Sequence, residues 1–398
     1  MLMGYKIPLA VSTINNEEID EVIKCLNSGY FTMGKKTEEF EKKFANYVGA
    51  KYAVMVNSGS SANLLAMFAL VNPLLKNNIK YGDEVIVPSV SWSTTVFPVL
   101  QAGAIPVFVD CDSDYQIDAD KIEDAISDKT RAIIPTHILG NVSDMKKISK
   151  IAQSHNLYVI EDSCESLGSK IAGKYVGTFG DMGTYSFYFS HHITTIEGGM
   201  LVSDNEDLIE LIRVMRHHGL VRDSLKKDMY IKQFPDIDPR FMFVNMGFNL
   251  RPTDLNAVIG IKQLDKLDSI LRSRRENAEQ LLKGLNAYKE YLVLPKEKPN
   301  TTHSWFSFPL TVKENKEFTK DQLVMFLESK GIETRPLVAG NLVEQPVFRN
   351  KLIKFRISGD MKNANNVNKN SFYFGMYQNL NTDYILNVFN TFFNSLTT

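Results

Sequence analysis

The sequence predicts an α/β protein with two parts: a large domain on a mostly parallel mixed sheet over residues 1–253, then a linking helix and a smaller α/β domain over 254–398. Three observations carry this prediction. Between about residues 50 and 205, short β-branched runs alternate with helical patterns, the mark of right-handed βαβ units. From Asp254 to about Tyr288 one helical pattern runs uninterrupted. Beyond it, a strand and two helices recur on a smaller scale.

In the large domain the predicted strands are Tyr52–Val56, Glu84–Pro88, Ile105–Asp110, Arg131–Thr136, Leu157–Glu161, Gly183–Tyr188 and Met200–Ser203, with helices such as Ser61–Leu70 and Ser143–His155 between them. In the linking helix, Leu255, Val258, Ile259, Leu264, Leu267, Ile270 and Leu271 recur at three- and four-residue spacings, which puts them on one apolar face. The smaller domain is predicted to hold a strand at Ser304–Val312, a helix at Thr319–Gly331 ended by its glycine, and a closing amphipathic helix at Tyr384–Leu396. Lys76-Asn77-Asn78 and Leu220–Asp238 read as surface loops.

Composition excludes several functions. With 45 Lys and Arg against 46 Asp and Glu there is no basic field for nucleic acid, and the Arg272-Ser273-Arg274-Arg275 cluster reads as a solvated helix face. The opening Met1-Leu2-Met3-Gly4-Tyr5-Lys6-Ile7-Pro8 lacks the charged leader and apolar core of a signal peptide, and no stretch of about 18 apolar residues occurs. A soluble cytoplasmic protein without membrane contact is expected. Cys25, Cys111 and Cys164 are too few and too scattered for a disulfide framework or an iron-sulfur cluster, and no metal site is expected.

Several segments carry chemistry. Asn57-Ser58-Gly59-Ser60-Ser61 lies between a strand and a helix, where backbone N–H groups favour a phosphate; a plain helix cap is the other reading. Asp162 ends a strand at the sheet's carboxyl edge, where it serves either as a helix cap or as the partner of a protonated ring nitrogen. Trp92, in a polar loop after a strand, reads as a stacking platform for a flat ring or as core or interface.

The segment Thr184-Tyr185-Ser186-Phe187-Tyr188-Phe189-Ser190-His191-His192-Ile193-Thr194-Thr195-Ile196-Glu197-Gly198-Gly199 is the most specific. It resembles the active-site signature of the DegT/DnrJ/EryC1/StrS family of sugar aminotransferases, pyridoxal-phosphate-dependent enzymes of fold type I. In that signature a Ser is followed five residues later by the Schiff-base Lys and then by a Gly-Gly turn; here His191 stands at the Lys position. The resemblance runs from about Ile7 to Val388 and includes Tyr30-Phe31-Thr32-Met33-Gly34, Tyr81–Pro88 and Gly247-Phe248-Asn249-Leu250-Arg251-Pro252. The His-for-Lys exchange, with Ser91–Thr95, Glu165, His218-Gly219, Ser304-Trp305-Phe306 and Arg335-Pro336, is similar to the family branch that removes the 3-hydroxyl of GDP-4-keto-6-deoxy-D-mannose.

That resemblance implies a lyase rather than an aminotransferase. Histidine cannot hold the cofactor covalently, so pyridoxal 5'-phosphate and its amine form, pyridoxamine 5'-phosphate, would be bound non-covalently. Gly59, Ser60 and Ser186 would hold the phosphate, joined by Asn249 from a second subunit, so a homodimer with a shared active site is expected. Asp162 would pair with the ring nitrogen, Trp92 would stack, and Glu165 would lie near the ring hydroxyl, where aminotransferases usually have Gln. His191 would act as base and then acid from an ordinary pKa near 6.5. His218, Arg222 and Arg335 would bind the nucleotide-sugar diphosphate or the carboxylates of L-glutamate, the co-substrate that restores the amine form. Two rivals stand beside this reading: an aminotransferase using another lysine, Lys170 or Lys174, and a non-catalytic sensor on the same fold.

Overall fold

In the computed structural model the chain is described over residues 4–350 and 353–396, so Met1–Met3 of the opening segment lie outside the described residues. Its centre is an eight-stranded sheet made of β1 (Tyr52–Val56), β2 (Glu84–Pro88), β3 (Ile105–Val109), β4 (Thr130–Ile133), β5 (Tyr158–Asp162), β6 (Met182–Ser186), β7 (Gly199–Ser203) and β8 (Arg356–Ser358). The order across the sheet is β1-β7-β6-β5-β4-β2-β3-β8. Only β7 runs against the rest, pairing antiparallel with β1 and β6. Strands β2, β6 and β7 are buried along their whole length, which is why they appear as unbroken apolar or small-residue runs.

The helix Gly59–Leu70 begins where the side chain of Ser58 accepts the Ser61 N–H. The predicted start at Ser61 is therefore two residues late. The linking helix, Asp254–Leu285, starts on a capping box of Thr253 and Asn256. Its first carboxylate, Asp254, accepts from the N–H groups of Gly34 and Thr37 and from the Thr37 hydroxyl at 2.7–2.9 Å, tying the helix to Lys35–Val48.

A four-stranded antiparallel sheet of Leu292–Val293, Ser307–Val312, Ser371–Gly375 and Thr334–Pro336 forms the smaller layer. The helices Lys320–Ser329 and Thr382–Asn394 pack on it around Phe308, Phe374 and Phe389. Residues on either side of position 253 share both layers: Ile7 bridges Ile332, and β8 extends the large sheet from β3.

Three expectations change. Leu220–Asp238 is not a simple loop but holds a helical turn at Val221–Asp223 and a helix at Lys227–Gln233; none of that helix is buried, so no apolar periodicity announced it. The predicted strand at Ser304 begins only at Ser307, because Trp305 takes a left-handed backbone (φ 52°) that an extended strand does not allow. Arg274 does not face solvent. It is buried, and its Nη1 donates to the carbonyls of Trp305 and Phe306 at 2.9 and 3.0 Å, with no carboxylate partner among the described residues.

Candidate active site

The carboxyl ends of β1, β2, β4, β5 and β6 open into one cleft of about 580 Å³, the edge at which open α/β sheets bind ligands. On the β1 side the N-terminus of Gly59–Leu70 points into it with Ser58, Gly59 and Ser60. A Cβ on Gly59 would sit 2.6 Å from the Cβ of Ser186, so only glycine lets this turn lie against the end of β6. Gly199 has a parallel role, since a Cβ there would lie 2.4 Å from the Ser58 carbonyl. The Gly-Gly turn of the signature thus packs directly under the phosphate-type cradle.

The end of β5, beside this turn, is acidic. Asp162, 4% exposed at the end of β5, accepts from Asn63 Nδ2 at 2.8 Å and Thr95 Oγ1 at 2.7 Å on Oδ2, and from the Cys164 N–H at 3.2 Å on Oδ1. Glu161 points to the other face of the sheet, where it accepts from the N–H groups of Gly177, Phe179 and Gly180. Glu165 returns to the cleft and accepts the Leu139 N–H at 2.8 Å. Burial, reinforced by the Asp162 charge and opposed by that hydrogen bond, pushes its carboxyl up to about 7.

His191 sits in the turn after β6, its N–H donating to the Tyr188 carbonyl at 2.9 Å. Its ring meets Phe306 edge-on at 5.1 Å, and its Nδ1 is buried without a hydrogen-bond partner. Burial, aided by the Arg274 charge, drives the imidazole down to about 3, so the ordinary value near 6.5 expected from sequence does not hold in this environment. His192 faces away, its Nε2 3.1 Å from the Ser304 carbonyl, so the adjacent histidines do not act as a pair.

Of the residues singled out in the sequence, the cleft gathers Gly59, Ser60, Trp92, Asp162, Glu165, Ser186, His191 and Arg335. Trp92 stands at the mouth, 58% exposed, and Arg335 is held there by Glu333 at 2.8 Å. Asn249, His218 and Arg222 are exposed and do not line the cleft of this single chain. Asn249 accepts from Arg251 Nε at 3.0 Å, and His218 takes a left-handed backbone (φ 59°). Asn63, Thr136, Glu197, Phe306 and Tyr373 line the cleft without having been foreseen. Glu197 and Phe306 fall in segments that carry the family resemblance without a role of their own, and Asn63 left a trace as a polar residue within the otherwise apolar run Ala62–Leu70.

The cleft suits a planar, phosphate-bearing ring. It offers a helix N-terminus backed by glycines that allow close approach, a buried carboxylate, Asp162, and the imidazole of His191, whose Nδ1 has no hydrogen-bond partner. Among the described residues, no lysine lines it.

Residues 12–393 match the DegT/DnrJ/EryC1/StrS aminotransferase family, and the chain belongs to that family of pyridoxal-phosphate-dependent enzymes. It is 41% identical over 387 residues to the GDP-4-keto-6-deoxy-D-mannose 3-dehydratase of Yersinia pseudotuberculosis, covering 96% of this chain and 97% of that one. It is also 34% identical over 334 residues to the GDP-perosamine synthase of Caulobacter vibrioides, covering 83% and 84%. Among solved structures it is similar to the Escherichia coli GDP-4-keto-6-deoxy-D-mannose-3-dehydratase with bound hydrated PLP, with a TM-score of 0.88, 37% identity and coverage of 96% and 99%. A GDP-4-keto-6-deoxymannose-3-dehydratase with a trapped PLP-glutamate geminal diamine gives a TM-score of 0.89, 37% identity and coverage of 96% and 100%. The fold is thus that of the fold-type-I PLP enzymes.

Proposed function

We propose that this chain is a PLP/PMP-dependent 3-dehydratase of a nucleotide-linked 4-keto-6-deoxy sugar, with GDP-4-keto-6-deoxy-D-mannose as the substrate its relatives support best. L-Glutamate resets the cofactor, and ammonia is released. The observation that carries this reading is the cleft itself: His191 stands where the family's aminotransferases place lysine, and no lysine lines the cleft among the described residues.

When bound in its amine form, the cofactor supplies an amine for the sugar's C4 carbonyl and a protonated ring that withdraws electrons. The protein does the rest. Ser58–Ser60 and Ser186 would hold the cofactor's phosphate, joined by Asn249 of a second copy. Asp162 would pair with the ring nitrogen, Trp92 would stack on the ring, and Glu165 would serve the ring hydroxyl. The neutral imidazole of His191 has a lone pair ready for the proton next to the reacting carbon. Its depressed pKa makes the resulting imidazolium a strong acid, suited to passing that proton to the departing C3 hydroxyl. The negative charge of a bound phosphate would favour the protonated imidazole and so make His191 a stronger base. Arg335 at the mouth, with His218 and Arg222 from the neighbouring copy, binds the sugar diphosphate or the glutamate carboxylates.

The aminotransferase alternative needs a lysine within reach. Lys170 and Lys174 lie instead in a small hairpin outside the cleft, their Nζ atoms over the rings of Tyr175 and Phe179 at 4.2 and 4.7 Å. Borohydride reduction of the cofactor-loaded protein followed by peptide mapping tests this. The proposal expects no pyridoxylated lysine; a pyridoxyl group on any lysine would overturn it.

A further inference from the structure

We propose that Asn63 and Thr95 are positioning residues that fix the Asp162 carboxyl through its Oδ2 and leave Oδ1 to meet the ring nitrogen of a bound pyridine cofactor. This rests on the reading that the cleft takes such a cofactor, and extends it to the side chains that hold its acid.

Asn63 and Thr95 are 5% and 1% exposed, and both contact the same oxygen, Asp162 Oδ2, at 2.8 and 2.7 Å. Asn63 is oriented by Thr184, whose hydroxyl donates to Asn63 Oδ1 at 2.6 Å, leaving the amide NH₂ for the carboxylate. A threonine hydroxyl has one hydrogen. If Thr95 spends it on Asp162, the Ser91 hydroxyl, 2.7 Å from Thr95 Oγ1, must donate to Thr95. Ser91 then has none left for Thr136, 3.0 Å away, so Thr136 donates to Ser91. The chain Thr136→Ser91→Thr95→Asp162 is therefore directional, and with Thr184→Asn63→Asp162 it brings two relays of donors to one oxygen.

A protonated Asp162 with its hydrogen on Oδ2 would reverse or break both relays, at the cost of buried unpaired donors. With Oδ2 taken by both relays, Oδ1, which accepts the Cys164 N–H at 3.2 Å, is the oxygen left for a ligand in the cleft that Asp162 lines. The relays draw on the helices Gly59–Leu70 and Ser93–Gln101, the loop after β2, the end of β4, and β6, so the carboxylate is fixed by five parts of the large layer at once.

The test uses the full chain loaded with PLP, comparing wild type with Thr95→Val, Thr95→Ser, Asn63→Leu and Ser91→Ala. Two quantities are read: the dissociation constant for PLP, and the pH at which the absorption of the bound cofactor reports loss of the ring-nitrogen proton. Deleting one charge-assisted donor should weaken PLP binding by roughly 10- to 100-fold and move that midpoint to lower pH by about one unit. Thr95→Ser should behave as wild type. Ser91→Ala, which does not touch the cleft, should shift both readings in the same direction by less. Thermal melting identifies any variant that fails to fold, and Ser91→Ala with Thr95→Ser then carries the comparison. Folded Thr95→Val and Asn63→Leu proteins with wild-type affinity and midpoint would overturn the inference while leaving the dehydratase reading intact. A lysine adduct in wild type would overturn the dehydratase reading while leaving the relays in place.

Discussion

At the scale of single residues, the site turns on two groups whose proton affinities are displaced in opposite directions. His191 is pushed down to about 3 and Glu165 up to about 7, both chiefly by burial, so each is held neutral over much of the pH range in which exposed counterparts carry charge. Replacing His191 by Asn should remove the proton carrier and lower turnover by about 10² to 10⁴, the usual worth of a positioned acid-base group. PLP affinity, measured by absorbance titration, should change little. Glu165 gives a stability prediction. Its folded pKa of about 7 lies above the reference value of 4.5, so the folded chain binds more protons between the two. Stability from this group is full below about 4.5, falls as pH rises to about 7, and is flat above. In the cofactor-free protein, Glu165→Gln should therefore flatten the fall of Tm across that window; an unchanged slope would show that Glu165 is not titrating there.

The elements explain why these side chains meet. Five strand ends deliver the cleft, and the N-terminus of Gly59–Leu70 closes it. Gly59→Ala should force Ser186 and the cradle apart, costing about 1–3 kcal/mol in denaturant unfolding and weakening PLP binding together. The large sheet was legible in the sequence because its central strands are apolar runs buried on both faces, and the signature after β6 was legible because glycines are required where backbones nearly touch. What escaped was set by tertiary packing. Arg274 looks like part of a charged surface cluster, yet the long helix turns it inward onto the carbonyls of Trp305 and Phe306, where it biases the imidazole two layers away. Phe306 reaches His191 because Trp305 adopts a left-handed turn, a conformation that nothing local in Ser304-Trp305-Phe306 predicts. Asn63 and Thr95 lie on helices whose periodicity says only that they are buried.

At the scale of the whole molecule, one chain supplies a cradle, an acid wall and a base, but leaves Asn249, His218 and Arg222 outside the cleft. It also leaves Tyr30, Phe241, Phe243 and Met246 exposed at 61–81%, large apolar surface that a monomer rarely shows. The proposed homodimer would bury this surface and lend those polar residues to the neighbouring cleft. Phe243→Asp combined with Met246→Asp should shift sedimentation from dimer to monomer and abolish turnover, whereas Asn249→Ala should stay dimeric and bind PLP less tightly.

His191, in place of a lysine, should make the reaction end in loss of an oxygen rather than gain of a nitrogen. Incubating the protein with PLP, L-glutamate and GDP-4-keto-6-deoxy-D-mannose, then identifying the sugar by mass and NMR, tests it directly. A 4-keto-3,6-dideoxy sugar with one equivalent of ammonia released is expected; a 4-amino sugar that retains its 3-hydroxyl, with no free ammonia, would overturn the dehydratase reading.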